Sequence, residues 1–554
     1  MHIPEVSGEV TVQMPAWNAL YQIRDFSSHV QQVEAFVGAQ RVPIEKLDKQ
    51  TWRVVAAGTV RIQYATYWDE PGPFAAQLNS EHAFINFAML LMYVVDRQQE
   101  KVSLAIMDFP RAWRAEGALL EGCKLVFDQP TCPESASGYE AVVDAPIEAG
   151  KFEEFDLPEV SPRISVVIHG DNWKKKQVEE ELTRICQYEI KLMGGAPFEH
   201  YTFIFHIGKA AAGGGGGMEH ENSTAISAPS GEYLAGVSAH EFFHLWNVKR
   251  IRPASLEPVD YAKEQYTRAL WFAEGATSTY GAYTLLRTGI WSKQQFYGDL
   301  SGGITELEAR AANRWQSAEQ SSLDAWLEKY PLHNEPEYSV SYYTKGQILG
   351  FLLDLLIRDQ TNDEKSLDDV LRAMNAEFAK EGKYYRDTLD VRLMAEKVAG
   401  GSFEEFFRQY VSGAEPFPYE QILALGGLQL SKSQRKRATL GFVAEREANA
   451  ALVVRGVETG GAAAKAGLRS GDVILKWNGG DPPRRLEKWA REQNAGTALR
   501  LVVMRDEREI KLDFRLGELT ETYYQVDESS QAGEKARRIR DGLLHGDTQS
   551  ATSR

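Results

Sequence analysis

The sequence predicts a multidomain α+β protein: a β-rich N-terminal domain, a middle domain that is α/β first and helical second, and a small third domain of short strands around one helix. Three observations carry this expectation. The chain has 554 residues, more than one hydrophobic core accommodates, which points to two to four domains of about 100–250 residues. Hydrophobic residues make up 43% of it and aromatic residues 11%, enough apolar material to order most of the chain. The hydrophobic period also changes along the sequence, from alternation to helical spacing and back.

In order, β-branched and aromatic residues dominate Gly8–Gln13, Thr51–Trp68 and Val102–Asp108, several in alternation, which predicts a sandwich-like β-domain over residues 1–160. A new unit begins near Pro162. Ile164–His169 reads as a strand, Lys174–Met193 as an amphipathic helix and Tyr201–Ile207 as a second strand, opening a domain over 161–430 with a mixed sheet. A glycine run, Gly213–Gly217, precedes a mostly helical stretch from Val237 to about Leu425, punctuated by Pro253, Pro331 and Pro416. A basic patch, Lys432–Arg437, leads into Gly-bounded short strands from Thr439 to Leu516, with one helix near Arg484–Gln493, which predicts a third domain over 431–520. Residues 521–554 read as an extension whose polar end, from about Asp541, frays.

Lys and Arg total 62 against 78 Asp and Glu, a formal net charge of −16, which repels nucleic acid and anionic membrane surfaces. The longest apolar runs, Phe84–Val95 and Ile348–Ile357, fall short of the roughly 20 residues that span a bilayer, so no transmembrane anchor is expected. Met1–Val10 contains acids and lacks a basic start followed by an apolar run. No secretory leader is read there; the cytoplasm is the default compartment, the periplasm or exterior the alternative for a trimmed start. Cys123, Cys132 and Cys186 form no C-x-x-C pattern and read as reduced thiols, a Cys123–Cys132 bridge requiring an oxidising compartment.

The chemistry concentrates in His240-Glu241-Phe242-Phe243-His244. Histidines at i and i+4 share one helical face, so two imidazoles converge on one tetrahedral Zn²⁺ and leave Glu241 beside the open coordination position, as a general base. A catalytic zinc takes a third protein ligand. Glu274 is the candidate, because it stands in the apolar segment Leu270-Trp271-Phe272-Ala273-Glu274-Gly275, where a buried carboxylate needs a partner. The oxyanion of a tetrahedral intermediate calls for a further donor, and a tyrosine hydroxyl suits it. Tyr338, Tyr342 and Tyr343 lie close together; the choice of Tyr343 rests on the resemblance that follows. Glycines ending in Gly217-Met218-Glu219-His220 admit close approach of a substrate backbone, and Glu219 then binds a free peptide amine.

These segments resemble metallopeptidase family 61, the PDZ-containing glycyl aminopeptidases related to aminopeptidase N and thermolysin. The resemblance runs through Trp17, Tyr21-Gln22-Ile23-Arg24-Asp25-Phe26, Gly217-Met218-Glu219-His220, the eleven residues from His240 to Arg250, Trp271–Gly275 and Tyr343-Thr344-Lys345-Gly346. It implies a thermolysin-like catalytic domain of the gluzincin type with one Zn²⁺ on His240, His244 and Glu274, and Glu241 as base. It also implies that Tyr343 stabilises the transition state, that Gly217, Met218 and Glu219 bind the substrate amine, and that glycine or alanine is preferred. His220 stands where aminopeptidase N has asparagine. The third domain resembles a PDZ module through Thr439-Leu440-Gly441-Phe442 and Ala466–Leu475, which implies that Leu440, Gly441 and Phe442 receive a peptide C-terminus while the peptide adds as a strand. Thr439 replaces the usual glycine. The expected partners are peptides with a free N-terminus and a C-terminal peptide ligand. The competing readings are a peptide-binding PDZ scaffold with a weak catalytic fold and a zinc endopeptidase.

Overall fold

The computed structural model describes residues 1–18, 21–106, 110, 112–120, 132–136, 138–211, 215–328, 336–447 and 450–548. They form two compact units: Met1–Gly303 with Arg310–Gln429 and Asp527–Arg554, and Ile304–Ala309 with Leu430–Val526. An N-terminal β-domain, a middle domain of one sheet followed by helices, and a small C-terminal domain of short strands make a mixed α+β architecture.

In the larger unit the first domain is antiparallel. Strands Gln40–Val42, Val30–Val37, Thr51–Thr66, His2–Gln13 and Tyr93–Val94 lie in that spatial order, with Val10 opposite Val54 and Val12 opposite Trp52. The alternation read in the sequence places Val10, Val12, Trp52, Val54, Val60 and Ile62 in one core. A second sheet pairs Arg114–Glu116, Ile147–Gly150, His82–Ile85 and Gln77–Leu78. The Cys123–Cys132 pair lies outside the described side chains, whereas Cys186 is a buried free thiol.

The middle domain opens with a five-stranded sheet in the order Glu153–Asp156, Arg163–Gly170, His200–Ile207, Ser223–Ala228, Gly216–Glu219. The three central strands run parallel, linked first by the helix Lys175–Leu192. His200–Ile207 is buried at every position, as expected of a central strand covered on both faces. Gly216–Glu219 is antiparallel and forms one edge. The helical half follows, and its helices Gly275–Arg287 and Tyr342–Gln360 cross so closely that a β-carbon on Gly275 would overlap Gly346, and one on Gly346 would overlap the Trp271 carbonyl. Glycine at both positions permits this crossing.

Two expectations need correction. The basic patch Lys432–Arg437 lies within a long strand, Leu428–Thr439, paired with Gly517–Glu528 in a separate ribbon. Its charges have partners: Lys436 lies 2.7 Å from Glu518 and Arg437 2.5 Å from Glu521. The polar end does not fray from Asp541, because the helix Glu534–His545 continues through it and buries Ile539, Leu543 and Leu544 in the larger unit. Residues 549–554 lie outside the described chain.

The smaller unit holds an antiparallel sheet in the order Phe442–Arg446, Leu452–Val457, Val473–Trp477, Ala498–Arg505, Arg508–Arg515. Its core includes Leu440, Phe442, Leu452, Ile474, Trp477 and Leu501. The expected helix spans Leu486–Arg491.

Candidate active site

His240 and Glu241 stand in the last turn of the helix Leu234–Phe243, and His244 caps it. The i, i+4 spacing brings the two imidazoles together, with Nε2 atoms 3.0 Å apart. The His244 Nδ1 donates to the Asn247 carbonyl at 2.7 Å, which selects the tautomer whose bare Nε2 points into the site. Glu274 occupies the break between the helices Leu270–Ala273 and Gly275–Arg287. Its Oε2 lies 3.4 Å from His240 Nε2 and 3.2 Å from His244 Nε2. Asn247 sets that break in place: its side-chain amide donates to the Phe272 carbonyl at 2.8 Å and the Thr277 hydroxyl at 3.1 Å.

The three donor atoms fit a metal. Ligands about 2.0–2.1 Å from a tetrahedral zinc stand about 3.3 Å from each other, against separations of 3.0, 3.4 and 3.2 Å. Electrostatics agree. Burial opposes charge on His244, but Glu274 beside it lifts its pKa to about 10. Burial likewise disfavours the Glu274 carboxylate, and His244 with His240 nonetheless holds it well below the usual range. For His240 burial prevails and lowers the pKa. The donor set thus favours one positive charge at its centre, whether proton or metal ion.

Glu241 is buried, and its carboxylate lies against the strand Gly216–Glu219, where a β-carbon on Gly217 would overlap Oε1 and Cδ of Glu241. Desolvation, with Glu219 and Glu274 nearby, pushes its pKa well up against the opposing pull of His244. Carboxylate oxygens of Glu219 and Glu241 and a ring nitrogen of His244 lie within 4.8 Å of one another. Met218 is buried, lines the same cleft and has its sulfur 3.9 Å from the Asn18 amide. Tyr343, in the first turn of Tyr342–Gln360, has its ring 6.0 Å from that of His240. Tyr342 stacks behind it at 4.7 Å and is buried, while Tyr338 is exposed. Lys345 donates to Asn313 and the Gln316 carbonyl, anchoring this turn.

His240, Glu241, His244, Glu274, Glu219, Met218, Gly217 and Tyr343 therefore share one cleft of about 410 Å³. Leu440, Gly441 and Phe442 belong to the smaller unit. The sequence reading assigned no role to several residues that shape the cleft. Tyr21 and Phe74 of the N-terminal domain form part of its wall. Asp144 binds His220 at 3.0 Å, the Glu221 amide at 2.9 Å and Lys249 at 2.7 Å, tying the turn after Glu219 to the segment after His244. Burial opposes ionisation of Asp144, and Lys249 and His220 override it. Only the presence of His220 and Lys249 within quoted motifs signalled this joint.

Comparisons with known proteins agree with this architecture. Residues 1–151 match the model of the peptidase M61 N-terminal domain, residues 233–349 that of the M61 glycyl aminopeptidase and residues 428–502 that of the PDZ domain. The chain is similar to an aminopeptidase N family protein from Idiomarina loihiensis at 24% identity and TM-score 0.84, covering 98% of this chain and 96% of that one. An M1 zinc metallopeptidase mutant from Deinococcus radiodurans, bound to a Tyr-Ser-Ala substrate, aligns at 13% identity and TM-score 0.45, covering 75% and 88%. The first likeness is one of fold. No curated protein matches the chain.

Proposed function

We propose, for a chain that belongs to the M61 glycyl aminopeptidase family, that this peptidase is a zinc aminopeptidase that removes N-terminal residues, glycine or alanine preferred, from peptides. The observation that carries the reading is the convergence of two imidazole Nε2 atoms and one carboxylate oxygen at 3.0–3.4 Å, with two further carboxylates in the same cleft.

His240, His244 and Glu274 would hold one Zn²⁺, which supplies Lewis-acid polarisation of the peptide carbonyl and acidifies water. Glu241 takes the proton of the attacking water and returns it to the leaving amine. Its packing against Gly217 fixes where that transfer occurs. The Tyr343 hydroxyl donates to the oxygen on which negative charge develops. Glu219 pairs with the substrate ammonium, so a free amine becomes a requirement. The open side of Gly216–Glu219 gives a peptide backbone an edge to lie along.

The test is metal content measured alongside release of an amine reporter from glycyl, alanyl and leucyl substrates, free and N-acetylated, with and without chelator. One zinc per chain and chelator-sensitive cleavage confined to free amines, fastest for glycine or alanine, is the expected result. Equal cleavage of acetylated substrates points to an endopeptidase, and zinc without turnover to a peptide-binding scaffold. Absence of zinc defeats the proposal.

A further inference from the structure

A second cavity, of about 60 Å³, adjoins the candidate cleft. Tyr21, Met218 and Glu219 line both spaces, so they form the partition between them. The second cavity suits an apolar group. Val143, Val248, Leu256 and Val259 line it, and its two cations already have partners, Lys249 in Asp144 at 2.7 Å and Arg252 in Glu257. Burial raises the pKa of Glu140, an acid of the same lining, towards the neutral form.

The parts of the partition are held in different ways. Met218 and Glu219 belong to the sheet, where they stand opposite Ala225 and Thr224, and the Met218 carbonyl accepts from the Thr224 hydroxyl at 2.9 Å. Tyr21 lies outside any strand or helix and is held by its ring. Trp17 stacks on it at 6.4 Å and Trp326 meets it edge-on at 5.9 Å. Those two rings pack against each other at 5.0 Å, and their indole N–H groups donate to the Asp260 and Gln265 carbonyls at 2.8 and 3.0 Å. A ring clamped between anchored aromatics is a fixed wall.

On the aminopeptidase reading, the substrate amine pairs with Glu219 while its first carbonyl faces the point shared by His240, His244 and Glu274. The α-carbon is bonded to both the amine and the carbonyl carbon. Because Glu219, Glu241 and His244 bring donor atoms within 4.8 Å of one another, that α-carbon is confined to the part of the cleft walled by Tyr21 and Met218.

We propose that the Tyr21 ring sets the size limit for the N-terminal residue: it leaves room for glycine or alanine and shuts larger apolar side chains out of the second cavity, which accepts them once the ring is removed. This inference rests on the aminopeptidase reading. The test compares the full chain with Tyr21→Ala and Tyr21→Phe in kcat/KM for glycyl, alanyl and leucyl reporters, and in calorimetric affinity for alaninamide and leucinamide. Tyr21→Ala should raise the leucine-to-alanine ratio about tenfold or more in both measurements, and Tyr21→Phe should change it less than about twofold. Adding Val259→Phe to Tyr21→Ala refills the second cavity and should bring the ratio back towards the parent's. Tyr21→Val, which keeps a branched side chain against Trp17 and Trp326, should shift the ratio in the same direction if the alanine variant does not fold. A ratio unmoved by Tyr21→Ala and Tyr21→Val, a shift of equal size in Tyr21→Phe, or a parent that takes leucine as readily as alanine overturns the proposal. Absence of turnover in the parent defeats the aminopeptidase reading instead, and the amide affinities then decide the role of Tyr21 by themselves.

Discussion

The larger unit contains two buried clusters made from the same residue types, and they do different things. At the candidate active site His240, His244 and Glu274 each aim one atom at one point: two Nε2 atoms and one carboxylate oxygen, each within 3.4 Å of the others. Where the N-terminal domain meets the catalytic sheet, Glu148 divides its oxygens instead, Oε1 to His82 Nδ1 at 2.8 Å and Oε2 to His206 Nε2 at 3.0 Å. His169 stacks flat on His82 at 4.0 Å. One arrangement aims its lone pairs at a common point within 3.4 Å. The other divides its carboxylate between two imidazoles, with a second His82 contact to Gln77 at 3.1 Å, and its looser set of His82, Glu148 and His169 donor atoms lies within 4.8 Å of one another. Histidine and carboxylate composition does not make a metal site; convergence on a common point does.

The largest separation of the two clusters should come from changes in carboxylates. On the proposed mechanism Glu241→Gln keeps all three ligands and removes the base, so kcat should fall by about three orders of magnitude or more while metal content stays at that of the parent. Glu274→Ala should instead lower metal content, read by elemental analysis, whereas Glu148→Ala should leave it unchanged. The Glu148 variant should lose about 3–5 kcal/mol of stability in denaturant titration, because two buried imidazoles lose their acceptor. A metal loss in the Glu148 variant would erase the distinction drawn here.

Gly217→Ala offers a subtler probe of the active-site cluster. The added methyl overlaps the Glu241 carboxylate but does not touch the three ligands, so activity should drop about tenfold or more, about 1.4 kcal/mol, with metal retained. Equal activity would show that the Glu241 rotamer in this packing is not the working one.

The smallest effect concerns pH. Burial, then His82, lowers the His169 pKa, so the folded state holds fewer protons there than the unfolded state. Its contribution is present above the unfolded value near 6.5 and is lost as pH falls below that value. Glu148, depressed by His206 and His82 against desolvation, adds a loss of the same sign at more acidic pH. Melting temperature should therefore fall between pH 7 and 5, and His169→Gln should flatten that slope while activity at pH 7.5 is kept. An unchanged slope would remove His169 from the account.

Much of the catalytic cluster could be read from the chain because its geometry is local. The spacing of His240 and His244 on one helix needs no tertiary information, and Glu274 announced itself as an acid in an apolar run. The alternating strands of the first domain were visible for the same reason, since a period of two is a property of neighbours. Gly217 was read as room for a substrate backbone, and its nearest constraint proved to be the Glu241 side chain on a different element. The helix Glu534–His545 was missed because Ile539, Leu543 and Leu544 are few apolar residues among many charged ones, and their value depends on the surface they meet.

By itself the sequence determined the domain types and marked His240, His244 and Glu274 as candidate ligands, because periodicity and short spacing act through backbone geometry within a few residues. Tertiary structure alone decided that Glu148, His82 and His206 satisfy one another while Glu274, His240 and His244 converge. It also decided that Asp144 and Asn247 hold the cleft in register. Those outcomes depend on the directions in which side chains from distant elements point, and direction is set only when helices and sheets pack.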